Sequence, residues 1–283
     1  MNNELLSPAL LALLIVFVLA VGLGRWIHRQ ERRRGLIEQR DQPLVGDGIG
    51  GAFGFIGGSA AFLLGVLMLT SIDHFKATEE IARDEAIAYS AAYDATAAAP
   101  ADLQPQIRRD LACLMRSVVQ DSWSAVEAED LTGDENTQAW TLRAYATLNA
   151  VESERSTEQA AMERIEDGLA EAVKAGQSRL LSARASMPMP LWVVVYVSLF
   201  IVFLFVTLLL RPYPPFESLA LGTILMLTAA MLWTLAAYQA PFNKSDGVYI
   251  APEALEAVMT RLRDVYPGPA WEPCERLATS ERG

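Results

Sequence analysis

His74 directly follows Asp73, and an imidazole beside a carboxylate can exchange a proton near neutral pH. The pair sits where an apolar stretch gives way to polar sequence. It could sense protons or line a vestibule, or it could simply mark a membrane–water interface. Glu127, Glu129, Asp130, Asp134 and Glu135 bring enough carboxylates together to attract a cation. They lack the alternating oxygen ligands, central glycine and terminal glutamate of an EF-hand loop, so a solvated turn is the better reading. His28 stands alone. Cys113 and Cys274 are too few for a cysteine zinc motif or a disulfide framework. The chain carries no phosphate loop, dinucleotide glycine fingerprint or serine nucleophile elbow. We therefore expect no catalytic residue, no metal site and no cofactor, and read the chain as a non-enzyme.

Gly50, Gly54, Gly58, Ala61 and Gly65 recur every three or four residues, so on a helix they share one face. Within an apolar segment small residues let another helix approach closely, and such packing holds helices together in lipid. The face is a candidate packing surface. Alternatively it lines or adjoins a pore, with glycine exposing backbone carbonyls to ions.

These residues are positioned by segments made for a bilayer. Leu191–Leu210 holds twenty residues without charge, proline or glycine. As a helix it would be ~30 Å long, the thickness of the hydrocarbon core. Trp192 and Tyr196 anchor one end and Arg211 follows the other. Three more spans are expected, at Leu5–Leu23, Gly48–Thr70 and Glu217–Tyr238. The first lacks a preceding cation and is followed by arginines, the reverse of a signal peptide, so it reads as a retained anchor. The third and fourth form an antiparallel hairpin joined by a proline-rich reversal, Arg211–Phe216.

Between the second and third spans lies a hydrophilic insertion, Ser71–Met189, with 21 acidic and 11 basic residues. It supplies −10 of the total net charge of −11, a balance that argues against nucleic-acid binding. Its apolar periodicity is helical. Ile72–Ala98 continues the second span beyond the membrane. Asp102 caps a helix from Leu103 to about Glu129, Leu131–Thr137 is a turn, and helices follow over Asn136–Val151 and Glu154–Ala185. In the tail, Pro252 opens a short amphipathic helix through Leu262, and Tyr266–Pro273 is irregular.

The expected fold is thus an all-α membrane protein. Residues 1–24 hold the first transmembrane helix, 25–47 an arginine-rich connection, and 48–70 the second helix. Residues 71–190 form a helical extramembrane bundle inserted between the second and third spans, 191–238 the hairpin and 239–283 the tail. Arg25, Arg29, Arg32, Arg33 and Arg34 set the topology, because short arginine-rich loops stay in the cytoplasm. Four spans then put the bundle and both termini on the outer, periplasmic side of a bacterial inner membrane. In that orientation Cys113 and Cys274 share an oxidising compartment and could tie the tail to the bundle. Otherwise they serve as small apolar side chains.

Several segments resemble the bestrophin-like domain family of bacterial membrane proteins. They are the arginine-ended first span, Ile72–Tyr93 after a glycine-containing second span, Leu180–Trp192, and the closing Ala240–Leu262. The resemblance covers most of residues 5–262, while Tyr266–Gly283 looks like an extension of this chain. It implies a four-span, all-helical membrane protein, and the family name suggests kinship with bestrophin anion channels. Two functions are expected. One is an envelope scaffold, sensor or partner subunit. The other is an oligomeric anion channel with the glycine-faced helix at or near its pore. The expected partners are the lipid bilayer, further copies of the chain or another membrane protein, and not nucleic acid.

Overall fold

The computed structural model describes residues 8–33, 47–128, 135–150, 155–183, 188–209, 214–244 and 248–277. Its helices are α1 (Pro8–Arg33), α2 (Asp47–Ala95), α3 (Gln104–Ser117), α4 (Trp123–Glu127), α5 (Glu135–Asn149), α6 (Ser156–Ala183), α7 (Met189–Leu209), α8 (Pro214–Gln239) and α9 (Glu253–Val265). No strand occurs among the described residues. Four of the helices are long and apolar enough to cross a membrane. The chain divides into two compact units, Met1–His74 with Ser186–Gln239, and Phe75–Ala185 with Ala240–Gly283.

In the first unit, the buried face of α2 carries Ala60, Leu64 and Leu67. These residues share one buried cluster with Leu13 and Ala20 of α1, Val195, Leu199 and Phe203 of α7, and Leu232 and Leu235 of α8. Phe17 and Phe203 pack edge to face, with centroids 5.2 Å apart. Trp192 stacks on Tyr196, whose hydroxyl donates to the Ala9 carbonyl at 3.0 Å. Leu11, Ile15, Val18, Val193, Val197 and Met226 point outward, an arrangement that suits acyl chains rather than water.

α1 and α7 approach closely at Gly24, where an added Cβ would lie 2.8 Å from Thr207 Cγ2. Gly24→Ala therefore overpacks the α1–α7 contact and destabilises the unit by about 1–3 kcal/mol. Adding Thr207→Ser removes the clashing methyl and keeps the hydroxyl bonded to the Phe203 carbonyl. The thermal midpoint in detergent should fall for the single variant and largely recover in the double.

The second unit buries Tyr89, Ala92 and Tyr93 of α2 against Ile107, Leu111, Leu114 and Met115 of α3, Trp140 and Leu148 of α5, and Ile165 and Leu169 of α6. Gly168 lets α6 reach the α2 backbone, since a Cβ there would lie 3.0 Å from the Ala92 nitrogen. Leu255 and Leu262 of α9, with Trp271 beyond it, close the same core.

Several boundaries differ from the sequence reading. α1 continues to Arg33, so Arg25, Arg29, Arg32 and Arg33 ride on a helix rather than a loose connection. Arginine is a good helix former, and neither glycine nor proline interrupts the run before Gly35. Arg34, the rest of that connection and the start of the acidic turn at 129–134 lie outside the described residues. Asp102 does not cap α3. The N-cap is Leu103, without a side-chain bond, and Gln104 N–H donates instead to the Pro100 carbonyl. The helix expected to run to Glu129 is interrupted by a π-helical turn, Val118–Ser122. Pro214 and Pro215, read as part of the reversal, form the first turn of α8, where missing N–H donors are no loss. Pro252 is the N-cap of α9 rather than its first helical residue.

Candidate functional site

Two places carry residues singled out by type or spacing, and a third emerges only in the structure. On α2, the glycine face turns away from the chain's other spans. A Cβ built on Gly54, Gly58 or Gly65 meets no described atom within 4 Å, and Ala61 is exposed. The surroundings of Gly50 lie outside the described residues. The helix packs inside its own unit through Ala60, Leu64 and Leu67, about one residue step around the cylinder. Phe55 and Phe62 flank the glycines, also exposed.

The second place is the tail. Cys113 on α3 and Cys274 are disulfide-bonded, 161 residues apart in sequence. Gly268 takes φ +153°, a conformation that residues with a Cβ avoid, and leads into the turn Pro269–Trp271. Trp271 is thereby laid against Tyr93, with centroids 5.4 Å apart, and its indole nitrogen donates to the Tyr266 carbonyl at 3.1 Å. Arg116 and Arg263 both lie over the Trp271 ring. Burial, then the neighbouring Arg263 and Arg109 charges, hold Arg116 below the usual arginine range. Its guanidinium donates to the Trp271 and Glu272 carbonyls, while Arg109 donates to the Pro269 carbonyl at 3.2 Å. Tail carbonyls thus supply the acceptors that a crowd of arginines needs, and the disulfide holds them in place.

The third place was not legible in the sequence. Glu85 on α2 and Arg179 on α6, 94 residues apart, form an ion pair inside the bundle. Their side chains are 3% and 1% exposed, so neither charge has bulk water to solvate it. Arg179 Nε donates to Glu85 Oε2 at 2.8 Å and Nη2 donates to Ser122 Oγ at 3.1 Å. The guanidinium carbon lies 4.5 Å from the Trp123 ring centroid. Ser122 ends the π-helical turn, whose wide backbone bond runs from Trp123 N–H to the Val118 carbonyl. Such turns insert one residue into a helix and commonly mark functional positions. The only signal in the sequence would have been two charges at buried positions of helical patterns, and charge there reads as surface.

Asp73 and His74 end the first unit, and no group of three or more metal-ligating side chains gathers among the described residues. Four apolar spans and a separate unit of amphipathic helices define an all-α, multi-pass membrane protein. The Bestrophin-like domain family model matches residues 12–252, and the chain belongs to that family. The match ends before α9 and the disulfide-bonded Cys274. No curated protein and no solved structure matches the chain.

Proposed function

We propose that this protein is a non-enzymatic sensor or partner subunit of a bacterial inner membrane, with its helical bundle and both termini in the periplasm. The Cys113–Cys274 bond carries this reading. Cytosolic thiol pools keep cysteines reduced, whereas an exported unit can retain a bond that pins its tail. A charged pair buried inside that bundle supports recognition rather than turnover, because it offers polar contacts without an activated nucleophile. A membrane-impermeant thiol reagent applied to spheroplasts tests the orientation. Labelling only after reduction is the expected result. Labelling only after the membrane is opened would place the bundle in the cytoplasm and overturn the reading.

The glycine face favours a second reading, an oligomeric channel. In lipid, close packing on small residues drives helix association, and no span of this chain covers Gly54, Gly58 or Gly65 among the described residues. Further copies of the chain packed around α2 would cover them or leave them lining a pore. Gly54→Leu with Gly58→Leu should then abolish both the oligomer and ion flux in proteoliposomes. A wild-type monomer that passes no ions and co-purifies with one partner protein would exclude the channel.

A further inference from the structure

A cavity of about 290 Å³ opens in the bundle between α2, α5, α6 and the π-helical turn. Glu85, Ser122, Thr137 and Arg179 line it together with the polar side chains of Gln138, Thr141 and Gln177, and Val118 and Leu180 are among its apolar residues. Two of these polar side chains have unmet bonding capacity. Arg179 Nη1 and Thr137 Oγ1 are both buried and neither has a hydrogen-bond partner among the described residues. Arg179 is 1% exposed, so bulk water solvates its idle N–H groups poorly. Buried donors left idle destabilise a fold, and they persist where something else satisfies them.

We propose that this cavity binds a small uncharged amphipathic molecule. Its carbonyl or amide oxygen accepts from Arg179, its polar head reaches the Thr137 hydroxyl, and its apolar body lies against Val118 and Leu180. The charge balance selects an uncharged head. Glu85 already neutralises Arg179, and no second cation for an anionic ligand lies among the described residues of the wall. The insertion's excess of acidic residues, 21 against 11 basic, repels anions further. An ammonium head fares no better, because Arg179 occupies the Glu85 carboxylate. The π-helical turn builds the site by presenting Ser122 to Arg179 and so fixing the guanidinium.

This deepens the sensor reading by giving the bundle a class of ligand. Binding is measured on purified protein and orientation in cells, so either can fail alone.

Hexanamide and its carboxylate counterpart, hexanoate, are titrated against the full-length protein in nanodiscs. Saturation-transfer NMR and tryptophan fluorescence report binding, with empty nanodiscs as the control for partition. Hexanamide should saturate and hexanoate should bind at least about tenfold more weakly. Thr137→Val keeps the side chain's shape and removes the hydroxyl, and should weaken hexanamide about tenfold. It should leave the unfolding midpoint unchanged or raised, because an unpaired buried oxygen is lost. Leu142 is 71% exposed and lines the cavity, so Leu142→Trp narrows the opening without disturbing the core. It should weaken hexanamide to a similar degree. The proposal is overturned by any of four results: no saturable binding, equal binding of hexanoate, binding that neither substitution changes, or a lowered midpoint in Thr137→Val.

Discussion

Replacing Glu85 with alanine should lower the unfolding midpoint of the bundle by on the order of 10 °C. The substitution strands the Arg179 guanidinium at a position that is 1% exposed. Removing one partner of a buried pair costs about 3–5 kcal/mol, because the remaining charge can neither be solvated nor neutralised. In a unit of this size each kcal/mol moves the midpoint by about 2–4 °C. Glu85→Leu combined with Arg179→Leu removes both charges and should recover most of the loss, since well-packed apolar replacements of buried pairs are often neutral or better. Thermal scans of the full-length protein in detergent, followed by circular dichroism, measure both variants. A Glu85→Ala midpoint within about 2 °C of wild type would show that water reaches Arg179, and the buried-pair account would fail. The same pair should tolerate substitution from the other side poorly. A Cβ on Gly176 would lie 2.9 Å from Glu85 Oε1, so Gly176→Ala must shift the carboxylate that Arg179 holds.

The second large effect is expected at the disulfide. Cys113→Ser with Cys274→Ser removes a cross-link between positions 161 residues apart. Loss of a bridge closing so long a loop costs about 2–5 kcal/mol, most of it through the freedom the unfolded chain regains. The released segment is the one that Arg109 and Arg116 hold through its carbonyls. Those arginines repel one another once the carbonyl acceptors leave, so the tail should open before the bundle does. Limited proteolysis should therefore cut between Val265 and Cys274 at least about tenfold faster in the double variant, because cleavage tracks the population of the open state. The surface pairs Arg143–Glu275 and Arg276–Asp121 will not hold the tail alone, since exposed ion pairs contribute about 0–1 kcal/mol each. Unchanged cleavage would mean that Trp271, packed on Tyr93, is a sufficient anchor without the bond.

How much of this was readable in advance depends on the range of the interactions. The four spans and the helical character of the insertion follow from local sequence. A run such as Leu191–Leu210 has only one stable environment, and amphipathic periods declare a helix residue by residue. The continuation of α2 beyond the membrane was legible too, because neither glycine nor proline interrupts Ile72–Ala95. The π-helical turn at Val118–Ser122 was not legible, since nothing local separates it from ordinary helix. It is held where Ser122 meets Arg179, a contact between residues 57 positions apart.

The sequence by itself determined which segments suit lipid, which suit water, and which residues share a helix face. Those properties rest on side-chain transfer energies and the 3.6-residue period. It also raised the pairing of Cys113 with Cys274 as one outcome of an orientation, without deciding it. Only the tertiary structure decided which faces are used. It packed α2 through Ala60, Leu64 and Leu67 and left Gly54, Gly58 and Gly65 uncovered within the chain. It paired Glu85 with Arg179 across 94 residues, and it brought Thr137 to the same cavity wall. A buried charge is stable only beside its complement, and no local pattern records which distant helix supplies it.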